Sequence, residues 1–430
     1  MNTARLHQRF LLCSGVDTDT RNIRKDSMFF ALKGTNFNGN EFAGEALKQG
    51  ASYVVVDDKK FVKNKEHYIL VQNVLESLQK LAIFHRKYLG IPILAITGSN
   101  GKTTTKELVH SVLLRKFKTI ATKGNLNNHI GVPLTLLSMD DHTEFGIVEM
   151  GANHPLEIEF LCTIANPDYG YITNFGKAHL EGFGSLEGVV KAKTELYKNL
   201  QERHKLIFLN IDDEVQRKHE NYNHTFSFGE SNEADVQLSY QSGLANAQLN
   251  YNNTDFKSKL TGEYNAKNMA AALCIGLYFK VKFEEIQTAL SNYSPDNNRS
   301  QTLNTASNTI IMDAYNANPT SMHAALENFK QLKTNKQKIA ILGDMFELGS
   351  SAVTEHQIIA NYVQNSDFAE TYLLGDNFKN TNTSSNFIFK FKSIESLKEH
   401  LKETDFQNCY FLIKGSRGMA LERVLDSIKK

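Results

Sequence analysis

Apolar and polar positions change period along the chain, and each change marks an element. "SMFFAL" (27–32) and "SYVVVDD" (52–58) are short apolar runs of buried-strand type. Between them "EFAGEALKQG" (41–50) carries helical spacing up to Gly50, a residue suited to end a helix. "VLESLQKLAIFHRKYLG" (74–90) predicts a longer helix. From Ile91-Pro92 onward the strands "ILAIT", "FGIVEM", "YGYIT" and "KLIFLN" alternate with helical stretches such as "TTTKELVHSVLLRKF" and "SLEGVVKAKTELYKNL". Strand–helix alternation predicts a parallel, doubly wound sheet. A polar, Asn-rich passage from Glu230 to Lys257 predicts strands or a surface excursion, and "GEYNAKNMAAALCIGLYF" (262–279) a tightly packed helix. Beyond Asn298-Arg299 a new set of strands begins: "TIIMDAY", "KIAILGD", "TYLLG" and "CYFLIKG". The expected fold is α/β in three domains. These are a small α/β domain over 1–90, a central P-loop-type, mostly parallel doubly wound sheet over 91–297, and a Rossmann-like α/β domain over 298–430.

A chain of 430 residues exceeds one ordinary core, which agrees with several domains. It is 41% apolar and 22% charged with net charge +1, so no basic excess points to nucleic acid. No apolar run reaches membrane-spanning length, and "FLLC" near the start is too short for a signal-peptide core, so a cytoplasmic, monomeric protein is expected. Cys13, Cys162, Cys274 and Cys409 lie far apart in apolar surroundings and are expected to be buried free thiols.

The stretch "TGSNGKTTT" (97–105) stands between a strand and a helix. Glycines let backbone N–H groups approach an anion, a helix N-terminus favours negative charge, a lysine reaches terminal phosphates and a hydroxyl serves magnesium. Gly98, Ser99, Asn100, Gly101, Lys102, Thr103 and Thr104 supply this set. The first and second glycines are closer together than in the common G-x-x-x-x-G-K-[ST] loop. Glu149 ends the strand "FGIVEM", so its carboxylate is placed at the same sheet edge, where magnesium nucleotides need oxygen ligands. Taken alone, it reads better as a strand-end glutamate that merely caps a helix. Asn265 and Asn268 share a helical face and have amides able to match an adenine edge, although Asn265 also reads as a helix cap. Arg299 stands at a domain junction, where an arginine can clamp a γ-phosphate.

The short loop "GSNGKTTT" resembles that of the Mur ligases and their folylpolyglutamate-synthase relatives, and further stretches follow in the family's order across nearly the whole chain. The resemblance implies that Thr103 and Glu149 hold a first magnesium ion. It implies that His179 in "ITNFGKAHLEGFGS" and Lys193 in "KAKTELY", carbamylated in several members, hold a second. It makes Asn268 an adenine contact and gives Asp313 to the ribose. "DTRNIRKDSMFFALKGTNFNGNEFAGEALKQGA" resembles the family's uridine-binding domain, with Thr20, Arg21 and Gly34 on the nucleotide sugar; Asn127 and Asn128 of "TKGNLNNHIGVPLTLL" match the neighbouring loop. "DAYNANPTSM" with "ILGDMFELG" resembles the branch whose acceptor is D-alanyl-D-alanine, with Tyr315, Asn316 and Asn318 on the substrate. The Asp-Asn-Pro-Arg signature of the branch that adds the third amino acid is absent. Departures from the family pattern occur at Asn38-Gly39-Asn40, at Leu156 (usually Gly) and at Asn298 (often Gly). The implied activity is ATP-driven amide ligation of UDP-N-acetylmuramoyl-tripeptide to D-alanyl-D-alanine through an acyl phosphate, with catalytic Lys102, Glu149, His179, Lys193 and Arg299. A P-loop ATPase switch, or a relative with another amino-acid acceptor, is the alternative reading.

Overall fold

The computed structural model describes residues 2–295 and 299–428, so Asn298 and the 297/298 domain boundary lie outside the described residues. The N-terminal unit is a four-stranded parallel sheet of Val16–Asp17 (β1), Met28–Phe30 (β2), Tyr53–Val56 (β3) and Tyr68–Leu70 (β4), in that spatial order. The helix expected from Glu41 starts later, at Ala43, after a 3-10 turn over Gly39–Phe42. It ends on Gln49, with Gly50 just beyond at φ +111°. Val74–Leu89 forms a helix that Asn73 caps at its start and Gly90, at φ +64°, ends.

The central sheet has seven strands, every pairing parallel: Ile93–Thr97 (β5), Thr119–Ala121 (β6), Phe145–Glu149 (β7), Tyr169–Ile172 (β8), Leu206–Asn210 (β9), Thr225–Gly229 (β10) and Val236–Gln237 (β11). Their spatial order is β11-β10-β9-β8-β5-β7-β6. Strand β5 is central, and the chain leaves it first to one side and later to the other. Such a switch point is where open parallel sheets bind ligands, at the carboxyl edge. Residues of β5 alternate between two cores. Ile93 and Ala95 face the core shared with the N- and C-terminal units, while Leu94 and Ile96 face helices Lys102–Leu113 (α1) and Glu263–Tyr278 (α2). The small residues of α2 allow close approach: a Cβ on Gly276 would stand 2.6 Å from Val112 of α1. The Asn-rich passage forms a three-stranded antiparallel sheet, Ser239–Tyr240, Asn246–Tyr251 and Thr254–Thr261.

The C-terminal sheet has six strands: Gln301–Asn304 (β12), Thr309–Asp313 (β13), Gln337–Gly343 (β14), Glu370–Leu374 (β15), Ile388–Phe391 (β16) and Cys409–Lys414 (β17). Their order is β12-β13-β17-β14-β15-β16, all parallel except the antiparallel edge pair β12–β13. Register opposes Asp313 and Lys414 at the carboxyl ends of β13 and β17. All four cysteines are free, three buried and Cys13 half-buried. Among the described residues no helix is long and apolar enough to cross a membrane.

Candidate active site

The loop after β5 depends on its glycines. Gly98 has φ +139°, and a Cβ there would lie 2.0 Å from Thr173 Oγ1. Gly101 has φ +77° and begins α1; its Cβ would lie 2.7 Å from Asn268 Oδ1. Only glycine accepts both the backbone angle and the crowding. The strand β8 side braces the loop: Asn174 accepts from the Asn100 N–H through its side chain (3.0 Å) and from the Ser99 N–H through its carbonyl (3.0 Å). Lys102 turns its ammonium back onto Gly98 O (2.8 Å) and Ser99 O (3.1 Å). Its surroundings are dense although part of it faces the cavity. Burial lowers its pKa to about 8, Arg299 adding to the effect and Glu149 opposing it.

Glu149 ends β7 beside this loop and is buried. Its Oε1 accepts from Thr103 Oγ1 (3.2 Å) and Asn127 Nδ2 (2.8 Å). Its Oε2 has no hydrogen bond and faces Lys106 Nζ at 3.5 Å. Sequence reasoning passed over Lys106, although it lies one turn from Lys102 on the same helix face. Asn128 accepts from the Ile130 and Gly131 N–H groups (3.0 and 2.9 Å) and so shapes the same loop.

One cavity of about 920 Å³ joins these groups to the C-terminal unit. Ser99 to Thr104, Asn127, Asn128, Glu149, His179, Asn265, Asn268, Arg299, Asp313, Tyr315 and Asn316 all line it. Arg299 stacks on the Tyr315 ring, 3.6 Å from its centroid, and its buried Nε has no hydrogen-bond partner. Asp313 Oδ2 accepts from Lys414 Nζ at 2.5 Å, and its Oδ1 takes the Ser300 N–H at 3.3 Å. Lys414, which the sequence shows only as the end of the strand "CYFLIKG", is buried and lines the same cavity.

The remaining expected residues have the following partners. Asn265 donates to Thr261 O (2.7 Å), and Asn268 bonds both Asn265 and Thr105, bracing Gly101 with both ends of its amide. Asn318 caps the helix Pro319–Gln331 and donates to Asn100 Oδ1 at 2.7 Å, so it joins domains. His179, in the left-handed region at φ +52°, pairs its Nδ1 with Glu347 of the C-terminal unit. Lys193 lies behind the cavity, donating to Ala152 O at 3.2 Å with its ammonium over the Phe183 ring. Burial above all, with Lys102 adding, pushes Lys193 well below the usual lysine range. Among the described residues no hydrogen bond or ion pair joins His179 to Lys193, and no cluster of three His, Cys, Asp or Glu side chains forms a metal nest. Thr20, Arg21 and Gly34 are not in the cavity lining; Thr20 and Arg21 form a 3-10 turn, with Arg21 ion-paired to Asp19, and Gly34 lies in a short hairpin.

A glycine-bounded phosphate loop at the switch point of a parallel sheet faces a second parallel sheet across one cavity, and sequence relationships agree with that architecture. Family models for the Mur ligase catalytic domain, the Mur ligase middle domain and the Mur ligase glutamate ligase domain match residues 13–86, 96–276 and 298–410. The chain belongs to the Mur ligase family. It is 34% identical to the UDP-N-acetylmuramoyl-tripeptide--D-alanyl-D-alanine ligase of Bacillus subtilis, over 96% of this chain and 93% of that one. It is 33% identical to the ligase of that name from Rickettsia prowazekii, over 96% and 95%. MurF of Acinetobacter baumannii superposes with TM-score 0.85 at 29% identity, over 96% and 93%. MurF ligase of Thermotoga maritima in complex with ADP superposes with TM-score 0.82 at 28% identity, over 98% of each chain.

Proposed function

We propose that this chain is the ATP-dependent ligase that joins D-alanyl-D-alanine to UDP-N-acetylmuramoyl-tripeptide, a step in peptidoglycan synthesis. The observation that carries this reading is the cavity that places Lys102 on one side and Arg299 with the β13–β17 edge on the other. Segments 1–90, 91–297 and 298–430 then serve the nucleotide sugar, ATP and the acceptor, with Thr20, Arg21 and Gly34 contacting the uridine nucleotide outside the main cavity.

A carboxylate is a poor electrophile, so it must be activated before an amine attacks. The tripeptide carboxylate attacks the γ-phosphorus of ATP, ADP leaves, and an acyl phosphate forms. The dipeptide amine, once deprotonated, attacks the acyl carbon, and phosphate leaves with the C–O bond pair. Two anions meet in the first step, so charge neutralisation dominates it. Lys102 exchanges its two loop carbonyls for phosphate oxygens. Arg299, stacked on Tyr315, brings its guanidinium charge to the transferred group. Asp313, held by Lys414, accepts from ribose hydroxyls, and Tyr315 with Asn316 borders the acceptor.

Thr103 Oγ1 and Glu149 Oε1, a hydroxyl and a carboxylate oxygen brought together on the cavity lining, would hold a magnesium ion, which would supply charge neutralisation for the phosphates. For a second ion the residues would be His179 and Lys193. An ammonium is no ligand, but burial favours the neutral amine, which would add carbon dioxide and release a proton to solvent, leaving a carbamate as an anionic oxygen donor.

Phosphate release is the test. With UDP-N-acetylmuramoyl-tripeptide and ATP, D-alanyl-D-alanine should stimulate release and single amino acids should not. Release that ignores the acceptor favours the ATPase-switch reading, and stimulation by another amino acid favours a relative with a different acceptor.

A further inference from the structure

The chain buries a lysine beside the phosphate loop that the proposed reaction does not use. Lys106 is 1% exposed, on the α1 face that also carries Lys102. Its ammonium has two near oxygens, Gly124 O at 3.4 Å and Glu149 Oε2 at 3.5 Å, with Glu107 Oε1 at 3.9 Å. A buried ammonium is costly unless a charge answers it, and here the Glu149 carboxylate answers it. The two oxygens of Glu149 have different environments. Oε1 is shared with Thr103 and Asn127, which line the cavity; Oε2 is buried, has no hydrogen bond and has Lys106 as its nearest cation.

We infer that Lys106 is a positioning residue: it holds Glu149 Oε2 away from the cavity, so the carboxylate meets a divalent cation through Oε1 alone, which favours magnesium over calcium. This rests on the reading of Glu149 as a magnesium ligand. Magnesium requires a near-ideal octahedron, whereas calcium accepts more oxygens and takes carboxylates through both. A carboxylate freed from Lys106 can turn and offer both oxygens, which suits the larger ion. Lys106 also answers the buried charge of Glu149 whenever no metal is bound, so the two side chains form one unit in stability as well as in metal choice.

The experiment is calorimetry of ADP binding to the full chain with magnesium or with calcium, for wild type, Lys106→Met and Lys106→Arg. Wild type should bind more tightly with magnesium. In Lys106→Met the magnesium-supported affinity should fall by roughly 10-fold or more, the usual effect of losing a ligand's supporting partner. Calcium-supported affinity should fall less, and Lys106→Arg should keep most of the magnesium preference. A metal-dependent wild type with an unchanged magnesium-to-calcium ratio in Lys106→Met overturns the role of Lys106 alone. A wild type whose ADP binding ignores both metals overturns the magnesium reading of Glu149 as well. Should Lys106→Met not fold, thermal melting of Lys106→Gln, Glu149→Gln and their double variant takes its place. Glu149→Gln should raise the melting temperature of Lys106→Gln, because no buried carboxylate is then left unanswered; a double variant that melts no higher overturns the pairing.

Discussion

Lys102 shows how one side chain is prepared for phosphate by being denied water. Its pKa in the protein without nucleotide is about 8, against 10.5 for an ordinary lysine, and the charged form is the one that binds phosphate. Thus kcat/KM for ATP should fall as pH rises through about 8. The kcat profile should extend to higher pH, because bound phosphates restore the ammonium; parallel profiles would show that another group controls the decline. Stability runs the other way. Between about pH 8 and 10.5 the unfolded lysine binds more protons than the folded one, so its contribution to stability rises with pH there. Gly98 is the second sensitive residue. Gly98→Ala drives a methyl into Thr173, 2.0 Å away, at an unfavourable φ. A loss of about 1–3 kcal/mol in urea denaturation and a weaker ATP affinity are expected. Loop residues were readable in the sequence because phosphate binding imposes residue type and spacing together. Lys106 and Lys414 were not, because a buried lysine and a solvated one look the same in one dimension; Glu347 was not, because its partner His179 lies in another domain.

Secondary-structure elements carry strain and capping that the residue pattern only hints at. Leu156 stands where the family usually has glycine, and the structure keeps it left-handed at φ +68°, 65% exposed, at the start of the helix Glu157–Ala165. A leucine in this region costs on the order of 1 kcal/mol. Leu156→Gly should therefore leave stability equal or raise it by up to about 1 kcal/mol in urea denaturation, since little buried surface is lost. A clear loss would mean that the leucine packs in solution. At the helix Pro319–Gln331 Asn318 closes a capping box. Asn318→Ala should cost about 1 kcal/mol from the cap, and its effect should shrink in an Asn100→Ala background because the two amides bond each other at 2.7 Å. A continuous apolar run such as β5 and a stretch rich in small residues such as α2 were legible from pattern. Short ones, β6, β12 and β16 among them, were not, because three or four residues at a sheet edge carry too little periodicity.

At the scale of the molecule, the C-terminal sheet and the loop after β5 line one cavity, so the proposed reaction needs them docked. Beside the shared apolar core, polar contacts cross that junction: Lys177 Nζ to Glu355 at 2.6 Å, the Lys177 N–H to Thr320 Oγ1 at 2.9 Å, Asn100 to Asn318, and His179 to Glu347. Glu347→Gln with Glu355→Gln should increase the radius of gyration in small-angle scattering and lower kcat. A compact variant with normal turnover would show that docking relies on other contacts. The His179 imidazole against it holds the Glu347 carboxyl below the usual glutamate range. Its contribution is complete above the ordinary value of 4.5 and is lost as pH falls through the lowered one, so acid should loosen the junction. Glu347 is about half exposed, so screening keeps this effect small.

The sequence by itself determined the strand–helix alternation, the phosphate loop and the lysine and hydroxyl that follow it, because local periodicity and anion binding constrain neighbours in the chain. It also placed Glu149 at the right sheet edge, since the end of a strand is a local property. Tertiary structure alone decided that Arg299 lies on Tyr315 with its Nε free, that Asp313 meets Lys414, that His179 is answered by Glu347, and that Lys106 takes one oxygen of Glu149. Each of these joins residues from different strands, helices or domains. Register, sheet order and burial set such pairs, and no local pattern in the chain encodes them.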